Sequence, residues 1–203
     1  MNKVIFDTRP VTPSKIICIG LNYVDHIKEL GNDLPQEPVI FIKPNSSIAN
    51  ELYVNPIDSI HYEGEICFII ENSQLAGVGF GLDLTKRELQ AQLRAKGLPW
   101  EKSKAFNHAA VFSEFVAFKK DTSNLSLKLT INNIAVQLGG VALMVFKPEF
   151  LLSDITKSFS LEDGDIIMTG TPKGVGAISQ GDTFIGQIFN GEELLIEHHW
   201  QAR

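Results

Sequence analysis

Glu63 and Glu65, two residues apart in HYEGEICFII, are the first side chains whose spacing could do chemistry. Side chains alternate faces along a strand, so both acids project from one side, with Cys67 and Ile69 continuing it. From Ile66 onward the run is apolar on both faces, which sets the acids at the mouth of a buried core. Carboxylates this close repel, and burial raises their pKa further unless a cation or a proton relieves them. Asp83 offers a third acid. In GVGFGLD it shares a face with Gly79 and Gly81, which clear space before it, and it lies just upstream of a helix start, where the dipole favours negative charge. Three oxygen donors with no His or Cys at ligand spacing suit a hard cation, Mg²⁺ or else Mn²⁺ rather than Zn²⁺. Open coordination positions would be left to water and substrate. The spacing by itself suits equally well two solvated strand-end acids and an Asp that supports a helix start.

A second constellation lies on the stretch YVDHIKEL, where His26 and Glu29 are at i and i+3 and close enough to touch. A carboxylate that fixes one imidazole nitrogen leaves the other free to take a proton from water, as in general base catalysis. On a surface helix the same pair is more often a solvated face. Lys104 in WEKSKAFN could neutralise an oxyanion or a substrate carboxylate, although a lone Lys usually stays in solvent. In GTPKGVG, backbone N–H groups freed by glycine could hold a carboxylate. That loop lacks the Gly-Lys-Ser/Thr of a phosphate-binding loop, and GVGFG fails the dinucleotide fingerprint by spacing.

The elements that must position these groups are mostly strands: KIICIG, PVIFIK, EICFII, AGVGFGL, LKLTI, DIIMTG, TFIGQIF and ELLIEHH, most bounded by Gly, Pro, Asn or Asp. Asn132-Asn133 and Asn190-Gly191 are two-residue hairpin signals, which predict antiparallel pairs in the later half. Two helices are marked. The first follows Asn22 as N-cap and stops at Gly31. The second opens with a capping box of Thr85 and Glu88, runs through RELQAQLRAK and ends at Gly97, with Pro99 beyond. The reading is of a β-dominated mixed fold with a few short helices, in one domain over residues 1–203.

A net charge of −6 with scattered Lys and Arg gives no footprint for nucleic acid. No apolar stretch has the length of a membrane span, and MNKVIFDTRP lacks the apolar core of a secretory signal, so a cytoplasmic protein without membrane partners is expected. Cys18 and Cys67 each sit in an apolar strand-like run and read as reduced core residues rather than a disulfide.

GLNYVDHIKE, PVIFIKP, HYEGE, DLTKRELQ, GLPWEKSKAF, Gln137 before a glycine pair, and LEDGDIIMTGTPKGVG occur in that order. Together they resemble the catalytic domain of the fumarylacetoacetate hydrolase family over nearly the whole chain, and GLPW resembles its acylpyruvate hydrolase and oxaloacetate decarboxylase branch. The resemblance implies a mixed β-sandwich roll, a homodimer, and a metal held by Glu63, Glu65 and Asp83. It places His26 and Glu29 on a segment that orders over a small 2-oxo acid substrate, makes Lys104, Gln90 and Thr171 substrate-contacting, and makes Arg87 a supporting charge. Leu21 stands where some members have Arg. The activity it implies is metal-dependent cleavage of a carbon–carbon bond, by acylpyruvate hydrolysis or oxaloacetate decarboxylation through a pyruvate enolate, with the His–Glu dyad activating water. Two alternatives stay open: an oxaloacetate keto–enol tautomerase or dioxo-acid isomerase of the same fold, and a catalytically idle metal-binding dimer.

Overall fold

The computed structural model describes residues 1–54, 58–119 and 121–203. The elements used below, in chain order, are β1 (Lys15–Gly20), α1 (Val24–Glu29), β2 (Val39–Pro44), β3 (Gly64–Glu71), β4 (Gln74–Asp83), α2 (Arg87–Ala95), α3 (Glu101–Lys104), β5 (Ala110–Phe112), β6 (Leu125–Ile131), β7 (Ile134–Gly140), α4 (Pro148–Ile155), β8 (Ile166–Met168), β9 (Thr183–Asn190) and β10 (Glu193–Gln201). The β-dominated roll expected from the sequence is observed. An eight-stranded sheet runs β2-β1-β8-β3-β4-β5, ending on the short strand Ile48–Ala49, with Val116–Ala117 also on β4. A four-stranded antiparallel sheet, β7-β6-β9-β10, packs against it.

Strand β3 is buried on both faces, which explains its unbroken apolar run. Ile66 and Phe68 join Val78, Phe80 and Leu82 of β4 in a core shared with Leu127, Leu129, Phe184 and Ile188 of the four-stranded sheet. Cys67 and Ile69 face the other way, into a cluster with Cys18, Phe115 and Met168, and both cysteines are free and buried as expected. Helix α4 seals a third cluster through Leu151 and Ile155, packed with Ile17, Ile19 and Ile167. The pairing of β8, parallel to β1 and antiparallel to β3, brings the ends of three strands distant in sequence to one place. The GTPKGVG loop leaves β8 there, beside Glu63 and Glu65.

Several hairpins are tight. Asn72-Ser73 joins β3 to β4 and Asn132-Asn133 joins β6 to β7, with positive φ at all four residues, the conformation that two-residue hairpin loops of primed type need. The later hairpin is shifted by one from the sequence reading. Asn190 still pairs with Glu193 inside the ladder, so the turn is Gly191-Glu192, with Gly191 at φ 61°.

The helix starts differ from expectation. Asn22 is not the cap of α1, which begins after Tyr23. Its side chain is fully buried and instead accepts from the Phe146 N–H at 2.7 Å and donates to the carbonyls of Phe146 and Thr169, at 3.0 and 2.8 Å. The Thr85–Glu88 capping box does not form either. Thr85 pairs with His61 in a small three-stranded sheet, and α2 starts two residues later at Arg87. The C-terminal ends follow the expectation, with Gly31 and Gly97 both at positive φ.

Candidate active site

The ladder between β3 and β4 sets Gly64 opposite Leu82 and Glu65 opposite Gly81, which draws Asp83 level with Glu63, and the Asp83 N–H bonds the Glu63 carbonyl at 2.9 Å. Glu63, Glu65 and Asp83 are all buried, and each presents a carboxylate oxygen within 4.8 Å of the others. Of the two readings open from spacing, solvated strand-end acids are therefore ruled out. Gly79 and Gly81 do not clear space for Asp83, however. A Cβ at Gly79 would meet the Phe115 ring at 2.7 Å and one at Gly81 would meet Cys67 Sγ at 2.6 Å and the Phe112 ring at 2.9 Å, so these glycines make room for core packing.

Three cations answer two of the acids, Glu63 and Asp83. The Lys104 ammonium, buried at the end of α3, donates to Glu63 Oε2 at 2.8 Å, Asp83 Oδ2 at 2.7 Å and Thr85 Oγ1 at 2.7 Å. Arg87, at the first position of α2, pairs with Glu63 Oε1 and donates to Gln90 Oε1 at 2.8 Å. Lys43, fully buried on β2, lies 2.7 Å from Asp83 Oδ1. Sequence reading missed it. PVIFIK signals a strand, and nothing local tells that its lysine turns inward.

The electrostatics of the triad are uneven. Burial would raise the Glu63 carboxyl, but Lys104 and Arg87 outweigh it and hold it at about 2. Burial also opposes the Lys104 charge, and Asp83 with Glu63 raises it nonetheless. Glu65 has no such partner among the described residues. Burial and then repulsion from Asp83 and Glu63 push it well above the carboxylate range, although Oε2 accepts the Gly170 N–H at 2.7 Å. Asp83 Oδ1 is buried with the Lys43 ammonium 2.7 Å away, but among the described residues it accepts no aligned hydrogen bond. Three buried carboxylates in an all-oxygen donor set, of which Glu65 has no ion pair among the described residues, are what a divalent cation would satisfy. The residues fit such an ion.

Above the triad sits the dyad. His26 Nδ1 lies 2.8 Å from Glu29 Oε2, and the imidazole is buried rather than on a solvated face. Glu29 Oε1 accepts the Gly174 N–H at 3.2 Å. The GTPKGVG loop thus does hold carboxylates, but they are the protein's own, Glu65 through Gly170 and Glu29 through Gly174. Gly174 is at φ +98° and a Cβ there would stand 2.2 Å from the Val136 carbonyl, so both the turn and the close approach require glycine.

Glu63, Glu65, Asp83, His26, Lys104, Arg87, Gln90 and Thr171 all line one cavity of about 40 Å³. Glu29 reaches it only through His26. Thr171 lines the cavity, but its hydroxyl is engaged by protein: it donates to the Gly64 carbonyl at 2.9 Å and accepts from Gln137 Nε2 at 2.8 Å. Gln137 also accepts the Gly64 N–H at 2.9 Å, so the glycine between the two glutamates is clamped on both backbone groups.

The chain belongs to the fumarylacetoacetate hydrolase family. The family model for the fumarylacetoacetate (FAA) hydrolase C-terminal domain matches residues 15–193. Among curated proteins, oxaloacetate tautomerase YcgM of Escherichia coli (strain K12) is 37% identical, with 89% of this chain and 90% of that protein covered. The mitochondrial oxaloacetate tautomerase FAHD1 of Arabidopsis thaliana is 38% identical, with 91% and 90% covered. Among solved structures, fumarylpyruvate hydrolase from Pseudomonas aeruginosa in complex with Mn²⁺ and pyruvate superposes with a TM-score of 0.89 at 26% identity, covering 99% of this chain and 95% of that one. No helix among the described residues is long and apolar enough to cross a membrane.

Proposed function

We propose that this protein is a metal-dependent oxaloacetate keto–enol tautomerase. The observation that carries the reading is the meeting, in one small cavity, of a cation-binding triad and a single proton-transfer pair, His26 with Glu29. The two tautomerase relatives support the substrate. Glu63, Glu65 and Asp83 would hold Mg²⁺, or alternatively Mn²⁺. Such a cation supplies Lewis acidity, polarising the 2-oxo group so that the adjacent C3–H becomes acidic.

The chain's own residues do the rest. Glu29 holds the imidazole through Nδ1, which leaves Nε2 to take the C3 proton of the keto form and to deliver it to the 2-oxo oxygen, giving the enol. The Glu29 carboxylate stabilises the imidazolium that forms, and Gly174 keeps that carboxylate in place. Lys104, its charge fixed by two carboxylates and Thr85, sets a positive field beside the developing enolate. Both cysteines are buried in the core, with thiols that burial pushes up, so neither serves as a nucleophile.

A second reading is hydrolysis of an acylpyruvate or decarboxylation of oxaloacetate, both of which break a carbon–carbon bond. The same dyad geometry favours the hydrolysis, since an imidazole oriented by a carboxylate could activate water. The named activity of the Pseudomonas aeruginosa relative supports it as well. Following loss of the enol and release of pyruvate in parallel, from oxaloacetate and from acetylpyruvate, separates the readings. Enol loss without pyruvate is the tautomerase outcome. Pyruvate released in step with substrate loss would replace it with the cleavage reading.

A further inference from the structure

We propose that Arg94 and Asn32 form a carboxylate subsite at the mouth of the cavity, which takes the second carboxylate of a dicarboxylic 2-oxo acid. The subsite rests on the reading above for the chemistry of the head group, and it adds how the tail is recognised.

Arg87, Gln90 and Arg94 fall at i, i+3 and i+7 on α2, one face of the helix, and all three line the cavity. Their charges are not equivalent. Arg87 is held by Glu63, and the other lining cations, Lys104 and His26, have acidic partners of their own. Arg94 has a neutral one: Nη2 donates to Asn32 Oδ1 at 2.7 Å, and the guanidinium carbon lies 5.9 Å from the centre of the Trp100 ring. Among the described residues it is the lining cation with no carboxylate beside it. One hydrogen bond leaves most of the five donors of a guanidinium fork, whose geometry matches a carboxylate.

Asn32 supplies the independent observation. Its Nδ2 is buried and without a hydrogen-bond partner among the described residues. Since a guanidinium can only donate, the amide oxygen must be the atom that faces Arg94, and the NH₂ is left orphaned whichever way the amide is first placed. A buried donor with no acceptor is costly, and an arriving oxyanion would satisfy it together with Arg94. The neighbouring side chains of Leu21, Leu30 and Phe41 are apolar and offer an anion nothing. Asn32 follows α1 directly after Gly31, so a carboxylate seated between it and Arg94 would tie the helix that carries His26 and Glu29 down onto α2.

The test is calorimetric titration of the Mg²⁺-loaded protein with oxaloacetate and with pyruvate, which share a head group and differ in the distal carboxylate. Wild type is expected to bind oxaloacetate at least about tenfold more tightly, as a charge-assisted pair near the surface would give. Arg94→Gln should erase that preference with pyruvate affinity unchanged, and Arg94→Lys should restore part of it. No preference in wild type, a preference that survives Arg94→Gln, an equal loss for both ligands, or binding of neither would overturn the subsite. The tautomerase reading fails separately: a preference carried by Arg94 without enol turnover would leave the subsite standing and remove the activity, whereas turnover without preference would do the reverse.

Discussion

The Lys43 ammonium lies 2.7 Å from Asp83 Oδ1 and yet spends its protons on backbone carbonyls, those of Leu84 at 3.2 Å, Ala109 at 3.0 Å and Lys104. It is thus an ion partner to the acid triad and a brace for the two chain segments that carry Asp83 and Lys104. A charge so deeply buried persists only when it is paired and hydrogen-bonded. Lys43→Met is expected to orphan three carbonyls and one carboxylate, and to cost about 3–5 kcal/mol in urea unfolding. A loss under about 1 kcal/mol would mean that the brace carries no load.

Glu65 sets two effects against each other. In metal-free protein its charge is opposed by burial and by Asp83 and Glu63, so Glu65→Gln is expected to raise the melting temperature. The same change should weaken Mn²⁺ binding at least about 100-fold, the upper range seen when even an outer support of a metal site is removed. Calorimetry and thermal melts on one preparation check both, and undiminished Mn²⁺ affinity would take Glu65 out of the ligand set.

The dyad predicts a division between proton transfer and binding. His26→Ala and Glu29→Gln should each lower enol turnover, by about 10²–10⁴ for the histidine, while Mn²⁺ affinity stays at the wild-type level. If acetylpyruvate is also cleaved, His26→Ala should abolish that hydrolysis and leave a larger fraction of any decarboxylation, which needs no water attack. Equal collapse of all activities together with metal loss would make His26 structural instead.

Away from the site, Asp165 is the acid that ties together the starts of β1 and β8. It accepts from Ser14 N–H and Oγ at 3.0 and 2.7 Å, Lys15 N–H at 3.1 Å and Glu162 N–H at 2.9 Å, and pairs with the Lys15 ammonium. Burial works against its charge, but these donors prevail and lower its pKa from the ordinary 3.8. A carboxyl depressed in the folded state stabilises above its unfolded value and loses that contribution as pH falls through the folded one. Asp165→Asn should therefore cost about 3 kcal/mol at neutral pH, with the gap to wild type closing below about pH 4. A gap that is constant with pH would locate the effect in packing.

The triad was legible in the sequence because strand alternation is local: Glu63, Glu65 and Asp83 each follow from the period of their own strand. The dyad was legible as spacing on one helix, although its burial was not, since that depends on the Gly174 loop more than a hundred residues away. What failed depended on competition. Asn22 and Thr85 are good caps by type, but Asn22 was claimed by the backbone at Phe146 and Thr169, and the Thr85 hydroxyl by Lys104. Lys43 was invisible for the same reason. Its three carbonyl acceptors and Asp83 lie on segments distant in sequence, which no local pattern reports.

The most direct measurement titrates Mn²⁺ into metal-stripped protein, following free ion by electron paramagnetic resonance and enol loss from oxaloacetate in the same samples. One ion bound per chain, with turnover rising in proportion to occupancy and both abolished in a Glu63→Gln, Asp83→Asn variant, is the expected result. Full enol turnover by protein that holds no ion would contradict the assignment of the triad as a metal centre for this chemistry.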